Sequence, residues 1–158
     1  MEQRSVRIEW PDQAGFTMRI LALDHGTKRV GVAISDETLS IAQPVEYIPA
    51  EPASGLLERI RQLVQEREVG LVIVGMPRNM DGSYGPAAAA VQEFVQSLRS
   101  ALSVPIKTWD ERLTTVQANR YLREANVRHK KSRERVDKIA AAILLQSYLD
   151  AREPGAGL

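Results

Sequence analysis

The spacing of apolar residues changes its period along the chain, and the changes predict the elements. From Met18 the run Met-Arg-Ile-Leu-Ala-Leu-Asp reads as a strand, and Arg29 to Ser35 and Pro44 to Ile48 read as two more. Short Gly- and Asp-containing connections between them predict an antiparallel meander. The period then becomes helical at Leu56, Leu57, Ile60, Leu63 and Val64, followed by Val69-Gly-Leu-Val-Ile-Val-Gly75, a continuous apolar run of the kind buried on both faces of a sheet. Ala87, Val91, Phe94, Val95, Leu98 and Leu102 restore the helical period, and Val104 to Trp109 supplies a fifth strand. Thr114 or Thr115 can cap a further helix carrying Tyr121, Leu122 and Ala125, and a basic linker leads to a last helix from about Ser132 to Ala151. The order predicts an α/β domain over 18–151, with a mixed five-stranded sheet of three antiparallel then two parallel strands flanked by helices. Residues 1–17 keep no period and read as an N-terminal extension, and 152–158, with Pro154, Gly155 and Gly157, as a tail.

Composition narrows the chemistry. The 158 residues suit one domain, and the absence of cysteine excludes disulfides, thiolate metal sites and a cysteine nucleophile. No apolar run approaches the roughly 18 residues of a membrane span, and Met1 to Thr17 is too polar for a secretory signal, so a cytoplasmic protein with no membrane partner is expected. Net charge is only +1, so affinity for nucleic acid must come from local charge. The run Arg120, Arg123, Arg128, His129, Lys130, Lys131, Arg133 and Arg135 is either a solvated surface or a phosphate contact.

Three places in the pattern hold acids that packing alone does not demand. Asp24 ends the first strand before His25-Gly26, where Gly26 can take a positive φ or admit a ligand close to the backbone. Asp110 and Glu111 end the fifth strand and, by alternation, point to opposite faces, so only one of them joins a shared site; counting does not choose which. Asp137 shares a helical stripe with Ala140, Ala141, Leu144 and Tyr148, a mostly apolar face on which a carboxylate needs a compensating cation. Should these elements converge, their carboxylates would attract a hard divalent cation, Mg²⁺ or Mn²⁺, and two such ions about 4 Å apart support phosphodiester hydrolysis.

Other residues fit a phosphate-bearing substrate. Thr27 and Lys28 follow Gly26 in the turn behind Asp24, and Gly75-Met-Pro-Arg-Asn-Met-Asp-Gly-Ser83 follows the buried fourth strand, offering Arg78, Asn79 and Ser83. Arg112, Lys130, Lys131 and Arg133 complete the candidate substrate contacts. His25 and His129 are too isolated for a histidine metal site and read as ordinary surface residues, with His25 a secondary candidate for a substrate or proton-transfer contact. Aromatic residues make up only 5% of the chain, which rules against a broad base-stacking platform and leaves Tyr84, Trp109 and Tyr121 as single candidates, each better explained by packing.

Leu23-Asp-His-Gly-Thr-Lys-Arg-Val-Gly-Val-Ala-Ile-Ser-Asp36, Gly75 to Ser83, Asp110-Glu-Arg-Leu-Thr-Thr115 and Val136-Asp-Lys-Ile-Ala-Ala141, in that order, closely resemble the YqgF/RuvX family from about Met18 to Asp150. The resemblance implies a ribonuclease H-like fold, and Asp24, Glu111 and Asp137 as the metal-binding, catalytic carboxylates. It implies a nuclease, with 5′-end maturation of pre-16S ribosomal RNA favoured by the family's bacterial distribution, and Holliday junction resolution on branched DNA as the alternative. A homodimer is required by the second and compatible with the first. Two rivals carry less: a non-catalytic nucleic-acid-binding module, and the phosphate-binding motif of sugar kinases and actin-like ATPases, which need a second lobe that about 130 residues do not provide.

Overall fold

The computed structural model describes residues 18–79, 81–111 and 133–152, with 133–138 described for their backbone alone. The expected helix after Thr115, the basic linker, the N-terminal extension and most of the tail lie outside the described residues, as do Arg112, Lys130 and Lys131.

Strands β1 (Arg19–His25), β2 (Arg29–Ser35) and β3 (Ala42–Pro49) form the meander expected, each pair antiparallel. Helix α1 (Ala53–Glu66) leads to β4 (Val69–Met76), which pairs parallel with β1 and is buried along its whole length. Helix α2 (Pro86–Ala101) leads to β5 (Ile106–Asp110), parallel to β4, and α3 (Arg133–Ala151) closes the described chain. The sheet order is β3-β2-β1-β4-β5. Strand β5 begins at Ile106 rather than Val104, with the Pro105 carbonyl accepting the Val72 N–H just before it. Proline has no N–H of its own for the ladder, which favours its position at a strand's edge.

Side-chain alternation sorts the sheet residues into two cores. Leu21, Leu23, Val30, Val32, Ile34, Val72 and Val74 face α1 and α2, meeting Leu56, Ile60, Leu63, Val91, Val95 and Leu98. Ile20, Ala22, Ala33, Leu71 and Ile73 face α3, meeting Ala141, Ala142, Leu144, Leu145 and Tyr148. Alanines on both sides of this second layer let the helix backbone come close to the strands, as dense packing requires. Among the described residues no helix is long and apolar enough to cross a membrane.

Candidate active site

Asp24 follows Ile20 and Ala22 in the alternation, so it belongs to the α3 face at the C-terminal end of β1. Its lateral neighbour on β2 is Gly31, and Leu23 pairs with Val74 on the other side, one step before Gly75. Gly75 pairs with Trp109 and Met76 with Asp110. Trp109 turns toward α3, donating its indole N–H to Ser147 Oγ at 3.1 Å and meeting Tyr148 edge-on at 5.1 Å between ring centroids. The next residue, Asp110, faces the opposite way, and Glu111 returns to the α3 face.

Glu111 and Asp24 are consequently hydrogen-bonded to each other. Burial pushes the Glu111 carboxyl above its ordinary value; the bond to Asp24 opposes that, and the charge of Asp110 adds to it. The Glu111 side chain lies across Gly75, where an added Cβ would sit 2.7 Å from Glu111 Oε2, 3.0 Å from its Cγ and 3.2 Å from Leu144 Cδ2. A glycine at the end of an otherwise continuous apolar strand is the sequence signal for such a close approach, although the strand pattern alone does not say that Glu111 is what crosses it. Asp110 instead pairs with Arg78, Nη1 to Oδ2 at 3.6 Å.

Several candidates stand differently from the sequence expectation. His25 is no ordinary surface residue: its ring packs on Phe94 at 4.6 Å between centroids on the α1–α2 side, and burial lowers its pKa. Gly26 has no positive φ; its missing side chain is needed because a Cβ would lie 2.8 Å from the Arg29 carbonyl, which accepts the Gly26 N–H across the hairpin. Thr27 and Lys28 are exposed in that hairpin. Asn79 and Ser83 bond to each other, Nδ2 to Oγ at 3.0 Å, and Arg78 bonds the Gly82 carbonyl through Nε at 3.0 Å.

Asp137 falls near the start of α3, and its side chain, like that of Arg133, lies outside the described residues. Among the described residues no group of three metal-ligating side chains is assembled. The donors that are described nonetheless suit a hard cation. Two carboxylates in direct contact, both partly buried, need either a shared proton or a positive charge to stay together.

Comparison with known proteins agrees with this architecture. A family model described as "RuvX: Holliday junction resolvase" matches residues 18–151. A protein of Thermoanaerobacter pseudethanolicus named "Putative pre-16S rRNA nuclease" is 48% identical over 137 residues, covering 86% of this chain and 99% of the relative. One of the same name from Chloroflexus aggregans is 49% identical over 133 residues, covering 84% and 94%. Among solved structures, "T. thermophilus RuvC in complex with Holliday junction substrate" superposes with a TM-score of 0.57 at 17% identity over 85% of this chain and 95% of that one, a likeness of fold alone. The fold and these relatives define a nuclease of the ribonuclease H-like class. Within that class, the chain belongs to the RuvX family, also called YqgF.

Proposed function

We propose that this nuclease hydrolyses phosphodiester bonds in RNA, in 5′-end maturation of pre-16S ribosomal RNA in the cytoplasm, with Mg²⁺ or Mn²⁺ held by Asp24, Glu111 and Asp137. The observation that carries the reading is the Asp24–Glu111 contact over Gly75, which joins acids 87 positions apart in sequence on one sheet face. Helical spacing assigns Asp137 to the stripe of Ala141 and Leu144, residues buried against that same face. The relatives' names support RNA as substrate.

When bound, the divalent cations supply Lewis-acid stabilisation of the charge that develops in phosphodiester hydrolysis. The chain's own residues define where that happens. Asp24 and Glu111 bring their carboxyl groups into contact, and Gly75 leaves the Glu111 side chain its path across β4. Lys28, exposed in the neighbouring hairpin, attracts the phosphate backbone, as do Lys130, Lys131 and Arg133 in the basic run. Water adds across a P–O bond, its oxygen joining phosphorus while the ester oxygen departs with a proton.

The family description favours a second reading, resolution of a four-way DNA junction by a homodimer. A side-by-side assay with Mn²⁺ on single-stranded RNA, a ribosomal precursor and a synthetic junction separates the two. Faster cleavage of the precursor, lost in Asp24→Asn with circular dichroism unchanged, is the expected result. Preferential cleavage of the junction by a dimer would favour the second reading. Binding without cleavage, or cleavage unchanged in Asp24→Asn, would reject the carboxylate mechanism altogether.

A further inference from the structure

The loop after β4 turns its polar groups on itself. The Asn79 N–H donates to the Ser83 carbonyl and the Gly82 N–H to the Asn79 carbonyl, both at 2.8 Å. Ser83 donates to Asp81 Oδ1 from its N–H at 2.9 Å and its hydroxyl at 2.6 Å. What this loop presents outward is a ring. Tyr84 is 55% exposed, and with Ile41 it is one of two large hydrophobic side chains standing this far into solvent among the described residues.

An exposed aromatic is unremarkable where its side chain swings at will. Tyr84 is held. The Arg78 guanidinium lies over its ring with Cζ 4.6 Å from the centroid, and Arg78 is itself fixed by the Gly82 carbonyl and by Asp110. Asp110 immediately precedes Glu111, so a chain of contacts sets the ring at a defined place relative to the carboxylate pair. One ring face meets the cation, which leaves the exposed area for another flat partner.

We infer that Tyr84 is a specificity residue that stacks on an unpaired nucleobase beside the scissile phosphate. The inference rests on the nuclease reading above and adds the form of nucleic acid the site takes. A base inside a duplex has both faces covered by its neighbours, whereas an unpaired one offers a face to a fixed ring. Stacking is tolerant of base identity. With the Asn79 and Ser83 side chains engaged within the loop, the contact selects strandedness and not sequence.

The test uses the full chain and a single-stranded RNA oligonucleotide carrying 2-aminopurine at successive positions, with Ca²⁺ to limit turnover. Stacking changes the fluorescence of one position in the wild type. Tyr84→Ala should abolish that change and weaken binding roughly ten- to hundredfold. Tyr84→Trp should retain both, and Tyr84→Leu should behave as the alanine variant does. Affinity for a long blunt RNA duplex of the same sequence should stay within about twofold of wild type in Tyr84→Ala, because only its two terminal pairs leave a base face uncovered. Single-strand affinity within twofold of wild type in Tyr84→Ala, or an equal loss on the duplex, would overturn the inference. A wild type that stacks the reporter but cleaves no RNA in Mn²⁺ would instead sink the nuclease reading, with Tyr84 still judged by the binding arm.

Discussion

Replacing Gly75 with alanine places one methyl group where the Glu111 side chain now lies. For Glu111 Oε2 to move from 2.7 Å to an ordinary contact near 3.4 Å it must retreat by about 0.7 Å, and Cγ at 3.0 Å must give as well. The carboxylate is the mobile end of its side chain, so folding tolerates the change: overpacking costs about 1–3 kcal/mol, partly offset by the roughly 0.5–1 kcal/mol that alanine gains over glycine in a strand. With Glu111 in the proposed catalytic role, cleavage has no such freedom, since a displacement approaching 1 Å in a positioned group costs on the order of a hundredfold. Gly75→Ala should therefore lower kcat/KM on RNA about a hundredfold and raise the Mn²⁺ concentration for half-activation. Its melting temperature should fall by only about 2–8 °C, as expected for about 1–2 kcal/mol in a domain of this size. Steady-state cleavage over a Mn²⁺ series, paired with differential scanning calorimetry, measures all three. In a double-mutant cycle, Gly75→Ala should add almost nothing to Glu111→Gln, because both act through one carboxylate. Activity within threefold of wild type, or full additivity in the cycle, would refute the argument that Gly75 positions Glu111.

Three further outcomes follow from other contacts. Glu111→Gln should lower kcat/KM at least about a hundredfold while Asp110→Asn, which weakens the pair with Arg78 and removes a charge beside Glu111, should lower it less than about tenfold, as read in parallel cleavage assays. Ser35 is 1% exposed and its hydroxyl accepts the Ile20 N–H at 2.9 Å, so Ser35→Ala leaves a buried donor without its acceptor and should cost about 1–3 kcal/mol, seen as a lower urea midpoint with an unchanged slope. At Asp36, burial raises the pKa, but the Ile41 N–H, the Thr38 hydroxyl and the Ser40 N–H outweigh it and hold the carboxyl at about 2. Because the folded value lies below the unfolded one, this stabilisation is complete above about pH 4 and is lost as pH falls toward 2. After allowance for solvent screening it amounts to about 1 kcal/mol, and Asp36→Ala should flatten the acid limb of a stability–pH profile by that amount.

The chain's periodicities carried most of the fold. All five strands and the three described helices follow the apolar spacing, with ends displaced by a few residues where Pro105 or a bulge interrupts the ladder. Less of the site was legible. His25 read as a surface residue because a lone histidine at a strand end says nothing of Phe94, about 70 positions away, coming to cover it. Asn79 and Ser83 looked like donors for a phosphate because composition does not reveal that a loop closes on itself.

The choice between Asp110 and Glu111 shows where the boundary lies. Alternation along β5, carried one residue past its end at Asp110, points the two to opposite faces, but the period alone has no origin, and one residue of slip exchanges them. Trp109 supplies the origin. Its indole N–H needs an acceptor and finds Ser147 on α3, while its ring meets Tyr148 one residue further along that helix. With Trp109 fixed on the α3 face, Asp110 must face Arg78 and Glu111 must return to Asp24. In sequence, Trp109 reads as a packing residue but nothing says on which face it packs, so the parity stays undetermined until the helix that receives it is in place. A tryptophan's hydrogen bond 38 residues away thus decides which of two adjacent acids reaches Asp24.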